Sequence, residues 1–206
     1  MQEILFEGNL YRVSMEAMPD ALKATLSAQD LLRYLTLLQQ IQLKPRAVYK
    51  EVQAFCATHP DVPEVINMLT FAHIQNYRIA EAEQLIESTY LKHPEYLFAR
   101  VNYADQCIRK RKLAEILKIF PSFDLRQLYP EKELYHTSEF RGFLIMMSYY
   151  QMALKDREKA LHYFKTAKEL EPDHPNVLYL EKKLYKTSLV KGLLKRLSKR
   201  SQSAHH

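Results

Sequence analysis

The stretch DREKALHYFKTAKELEPDHP, Asp156–Pro175, decides how this chain is read. Its apolar residues recur at helical spacing and predict an amphipathic helix. Yet two positions on the apolar side are alanines: Ala160 lies four residues before Phe164, and Ala167 three after it. Pro172 ends the run, because its ring and missing N–H cannot continue the hydrogen-bond ladder. A small residue on a buried face is useful where a second helix must approach closely, so the pattern should recur if it is architectural.

It recurs on a 34-residue ruler. Pro60 and Pro94, in THPD and KHPE, are 34 residues apart and define units 29–62, 63–96 and 97–130; a ten-residue insertion, 131–140, precedes a fourth unit, 141–174. The eighth position is Thr36, Thr70, Ala104 and Ser148, and the seventh is Leu35, Leu69, Tyr103 and Met147. The twentieth is Val48, Ala82, Ile116 and Ala160; the twenty-fourth is Val52, Ile86, Phe120 and Phe164; the thirty-second is Pro60, Pro94, Leu128 and Pro172. Small residues at eight and twenty let the two helices of a unit nestle, and large ones at seven and twenty-four fill the space beside that contact. One unit cannot bury its own apolar face, so neighbours must stack.

These columns resemble the tetratricopeptide repeat (TPR) family over residues 29–174, most closely in the fourth unit. The third unit departs most, with Arg100 at an apolar position and Leu128 in place of the closing proline. The resemblance implies an all-α fold of antiparallel helix pairs wound into a right-handed superhelix, with 175–206 as a basic capping helix and frayed tail. It also implies ligands in a concave groove lined by the first helix of each pair, at positions two, five, nine, twelve and thirteen. The candidate groove residues are Arg33, Leu37, Asn67, Phe71, Ile74, Val101, Ile108, Ile145, Tyr149 and Met152. The family's clamp for acidic chaperone tails needs Lys and Asn donors. Here Leu37, Met68 and Phe98 stand where most of them belong, so such tails are not the expected partner.

The first 28 residues read differently. In EILFEGNLYRVSM, apolar and polar residues alternate around Gly8-Asn9, a hairpin signal. That turn pairs Phe6 with Tyr11 and Ile4 with Val13 on one face. A two-stranded ribbon is marginal in water, so this aromatic face is expected to dock on the first helices. A short helix from Pro19 to about Leu26 follows, and Ser27 with Asp30 forms a capping box for the next helix.

Composition narrows the function classes. With only three glycines in 206 residues and no phosphate-cradling motif, nucleotide-binding loops are not expected. Cys56 and Cys107 form no CxxC pair and read as buried thiols of a cytoplasmic protein. The start of the chain lacks the pattern of a signal peptide, and no apolar run is long enough to span a membrane. The net charge of +6 is concentrated at one end: Lys182, Lys183, Lys186, Lys191, Lys195, Arg196, Lys199 and Arg200 oppose Glu181 alone, and the rest of the chain is near neutral. His59 and His93 recur because the repeat does, and no cluster has metal-ligand spacing. No nucleophile, acid and base can be assembled from motifs, so no catalytic residue, cofactor, metal or small-molecule substrate is expected. The expected function is a non-catalytic scaffold that holds a peptide or partner protein in the apolar groove. The alternative is nucleic-acid or anionic-membrane binding through the basic C-terminal helix.

Overall fold

The computed structural model describes residues 1–16 and 20–185. It is mostly helical, and it divides into two compact units, residues 1–142 and the residues from 143 onward.

In the first unit, β1 (Gln2–Phe6) and β2 (Asn9–Ser14) form a hairpin, followed by the short α1 (Asp20–Thr25). Then come α2 (Ala28–Leu43) with α3 (Pro45–Thr58), and α4 (Pro63–Gln75) with α5 (Ile79–Lys92). The third pair is α6 (Leu97–Arg109) with a 3-10 turn at Leu113–Glu115 and the short α7 (Ile116–Ile119). After it lie α8 (Leu125–Leu128) and β3 (Leu134–His136), and α9 (Thr137–Ala153) then starts. The turns within pairs are one to three residues long, which forces antiparallel partners. Each first helix also packs on the next first helix, α2 on α4 and α4 on α6. The second unit holds the α9–α10 (Arg157–Leu170) pair and a further helix over 175–185.

The repeat columns explain the packing. Val48, Ala82, Ile116 and Ala160 are all buried, as are Val52, Ile86, Phe120 and Phe164. Thr70, Ala104 and Ser148 are buried as well, and the Ser148 hydroxyl donates to the Ala160 carbonyl at 2.8 Å. Thr36 departs: it is only partly buried and its hydroxyl turns back to the Leu32 carbonyl at 2.8 Å.

Two terminators repeat as well. The second helix of each pair ends at the residue before a proline: His59, His93, Phe120 and Glu171, with φ between −121° and −146°. The proline ring pushes the preceding residue out of the helical region. In the third unit the stop is Pro121, well ahead of Leu128, so its second helix is cut short. Arg100, the polar residue at an apolar position, uses its guanidinium on the Ile119 carbonyl at that early end. The first helices of pairs two, three and four end in left-handed residues, Tyr77 (φ 61°), Arg111 (φ 60°) and Lys155 (φ 66°). The next N–H in each case bonds five residues back: Arg78 to His73 (2.9 Å), Lys112 to Cys107 (2.8 Å) and Asp156 to Gln151 (2.9 Å). This is the Schellman cap, here built without glycine.

The N-terminal segment corrects the sequence reading in two ways. The turn is Glu7-Gly8, both at positive φ, and the register pairs Ile4 with Tyr11 and Phe6 with Asn9. The shift is an even number of residues, so Phe6, Tyr11 and Val13 still share the buried face. That face packs on the connection before α9 and on the first turns of α9. β3, inside the insertion, adds to β2 in parallel, with Val13 opposite Tyr135. The Tyr11 hydroxyl donates to Asp124 (3.0 Å), and its ring lies 4.8 Å from Phe140 and 5.9 Å from Tyr135. The insertion thus supplies the third strand that a lone ribbon lacks. The capping box is present: Ser27 Oγ accepts the Asp30 N–H at 3.1 Å.

Candidate functional site

The surface offered by the first helices depends on how far each is rotated, and α2 differs from the rest. Its turn to α3 is the single residue Lys44, where the other pairs use three. With α3 anchored by Val48 and Val52, a turn two residues shorter displaces the α2 register by two. Two residues are about 200° of helix rotation, so the opposite face turns inward. Leu37 and Ile41 accordingly lie in the core with Tyr34, Leu22 and Leu26. Arg33 pairs with Glu51 of α3. Leu37 is therefore not an exposed groove residue of this helix, and Arg33, though exposed, is tied to α3. Leu32 and Leu35 take that place, 68% and 40% exposed. Pro45 marks the start of α3 in the sequence, but how far α2 turns follows only from the packing.

On α4, Phe71 and Ile74 are 37% and 43% exposed, one helical turn apart on one side. Asn67, a turn earlier, is half-buried and accepts from Asn102 Nδ2 of α6 at 2.8 Å, so it ties the two helices together. On α6 the expected groove residues Val101 and Ile108 are buried. Gly142, in the second turn of α9, lies over Val101: a methyl group in its place would stand in ordinary contact at 3.6 Å, which accounts for the cover over Val101. The exposed part of α6 is polar: Arg109 bonds Asp105 at 2.9 Å and Glu83 at 3.2 Å. On the first helices of residues 1–142, the exposed large apolar side chains include Leu32 and Leu35 on α2 and Phe71 and Ile74 on α4.

The second unit carries its own surface. Ile145, Tyr149 and Met152 of α9 are half-buried. The Lys183 ammonium, on the helix over 175–185, lies 5.0 Å from the Tyr149 ring centre and 4.8 Å from that of Tyr179. A cation between two ring faces is attracted by both quadrupoles. Tyr179 and Lys183 were missed as site residues, although the ruler continued past 174 puts them at positions five and nine. Of the basic-patch residues, Lys182 and Lys183 are exposed; Lys186, Lys191, Lys195, Arg196, Lys199 and Arg200 lie outside the described residues.

No protein-family model matches this chain, and no curated protein does. Among solved structures it is similar to a MamA RS-1 ArsTM double mutant, at 11% identity over 81% of this chain and 98% of that one, with a TM-score of 0.45. The likeness is one of distant helical fold.

A polar layer closes one end of the α4 face. Glu64, the second residue of α4, is buried, and burial pushes its carboxyl above the ordinary range; its own N–H acts the other way, Glu139 adds to the rise, and His93 and Lys132 oppose it. Glu139 is buried and its two oxygens take Lys132 Nζ at 2.9 Å each. Burial first, then Tyr34, Glu64 and Glu139, hold the Tyr96 hydroxyl well above its usual range. Both cysteine thiols are raised mainly by burial, the opposite of what a nucleophile needs. Among the described residues no group of three His, Cys, Asp or Glu is placed to hold a metal, and no helix is long and apolar enough to cross a membrane. The arrangement offers contact surface, apolar in one unit and aromatic with a cation in the other.

Proposed function

We propose that this protein is a non-catalytic interaction module that holds a peptide segment of a partner protein against the exposed faces of its first helices. The observation that carries this is the set of Leu32, Leu35, Phe71 and Ile74, large apolar side chains left in water on successive first helices. Large apolar side chains exposed on neighbouring helices are costly and mark contact with another molecule. A segment laid on this set would bury its own apolar side chains at helical or alternate spacing. Tyr179 and Lys183 suit an aromatic or acidic residue of a peptide on the second unit. The TPR resemblance of the repeat columns agrees with this reading.

The test is capture of partners from a lysate by the full chain and by a Phe71→Ala/Ile74→Ala variant, with helicity checked by circular dichroism. Loss of specific partners from a folded variant supports the reading. An unchanged set of captured proteins refutes it.

A further inference from the structure

The two segments outside the helix pairs, the N-terminal hairpin and the connection before α9, meet around a cavity of about 190 Å3. Leu10, Tyr11 and Arg12 of β2 line it with Arg126 of α8 and Lys132, Glu133 and Tyr135 of the insertion. We propose that this cavity is a binding site for an oxyanion, a phosphate or carboxylate group carried on a small apolar or aromatic body.

Three cations from three segments converge here, and two of them have donors to spare. The carboxylates nearest Arg12 are Glu3 at 3.6 Å and Glu133 at 4.0 Å, both beyond hydrogen-bond reach and all three side chains half or more exposed. Such pairs contribute little and are readily exchanged for a better acceptor. Arg12 therefore keeps its whole fork of five N–H donors. Arg126 spends one donor on the Leu10 carbonyl at 3.0 Å, which draws its guanidinium to the strand beside Arg12. Lys132 is committed to Glu139, whose carboxylate offsets its charge, so the two arginines carry the anion affinity.

The other acidic groups nearby are already satisfied. Asp124 takes Asn9 Nδ2 (3.2 Å), the Tyr11 hydroxyl (3.0 Å) and the Arg126 N–H (2.9 Å). Glu139 takes the His136 N–H (3.1 Å) besides Lys132. Arg12 and Arg126 thus keep donors beside carboxylates, Glu3 and Glu133, that hold them only loosely, and an anion of better geometry can displace those partners. Arginine forks match the paired oxygens of phosphate or carboxylate, and the charge-assisted bonds so formed are the strong ones. Leu10, well exposed, supplies an apolar side for the body that carries the group, with the buried Tyr11 and Tyr135 behind it. The cavity is below the roughly 300 Å3 at which drug-sized pockets begin, so a small organic anion or a single headgroup fits and a whole nucleotide does not.

The experiment is calorimetric titration of the full chain at low salt with phenyl phosphate, benzoate and inorganic phosphate. Saturable binding of at least one probe is expected, weakened about ten-fold or more in Arg12→Gln and Arg126→Gln and unchanged in Arg46→Gln, which is remote in sequence and outside the cavity. Phenyl phosphate binding without inorganic phosphate binding identifies a body-borne group; the reverse identifies free phosphate; benzoate identifies a carboxylate. No binding of any probe, or binding indifferent to both substitutions, overturns the proposal. If Arg126→Gln unfolds the hairpin, Arg12→Gln decides, since the sheet uses the Arg12 backbone and not its side chain.

Discussion

Ala160→Leu is the most direct perturbation of the helix-pair contact. Ala160 and Ser148 are both fully buried, and Met147, Leu144, Phe164 and Ala167 in the same core are buried to within 2%. Leucine adds three carbons where no accessible space exists, so the core must strain or the helices must part. Overpacking of this kind costs about 1–3 kcal/mol. Parting also breaks the 2.8 Å bond from Ser148 to the Ala160 carbonyl, a further loss of about 0.5–1.5 kcal/mol. The sum, about 2–4 kcal/mol, corresponds to a fall in Tm of about 4–16 °C for a chain of this size. Thermal and urea unfolding by circular dichroism measure it, with hydrogen exchange of the α9 and α10 amides locating the damage. Lys159→Leu, next door and exposed, should stay within about 0.5 kcal/mol of the parent. Ser148→Ala should cost less in the Ala160→Leu background than alone, because the bond is already gone. An Ala160→Leu protein as stable as the parent, with α9 and α10 equally protected, refutes the close-approach reasoning.

Lys155→Gly relieves a left-handed non-glycine residue (φ 66°) and should hold or raise the unfolding midpoint, whereas β-branched Lys155→Val should lose about 1–2 kcal/mol in the same melt. Lys132→Met leaves buried Glu139 without its partner and should cost about 2–3 kcal/mol in urea, less than a fully buried pair because Lys132 is partly exposed; adding Glu139→Gln should recover most of the loss. Glu64 has its carboxyl raised in the folded protein, so its contribution is full below the ordinary carboxyl range and is lost as pH climbs through the raised value. As pH climbs from the ordinary carboxyl range through the raised value, the parent should therefore lose stability relative to Glu64→Gln, and parallel profiles for the two proteins would contradict the assignment.

Local chemistry was legible directly. The proline stops act on the residue before them whatever surrounds them, so His59, His93 and Glu171 end helices as the sequence reads. Pro121 obeys the same rule, and the shortened third pair follows from it once the fixed ruler is set aside. The columns Val48–Ala82–Ile116–Ala160 and Val52–Ile86–Phe120–Phe164 read correctly as core because a fixed period keeps a fixed face inward. The hairpin's buried face was readable from alternation, while its register was not, because Gly8 fits either of two turns.

What the amino-acid order determined by itself was therefore the set of helices, their ends and their apolar faces, each governed by neighbours a few residues away. Tertiary structure alone decided which of those faces stay in water. A two-residue difference in one turn rotated α2, burying Leu37 and leaving Leu32 and Leu35 in water, and the approach of Gly142 covered Val101. It alone joined β2 to β3, and so brought Arg12 and Arg126 to one cavity, across more than a hundred residues of chain. Contacts at that separation are chosen by packing and by the need to pair strand edges, and neither leaves a period in the sequence.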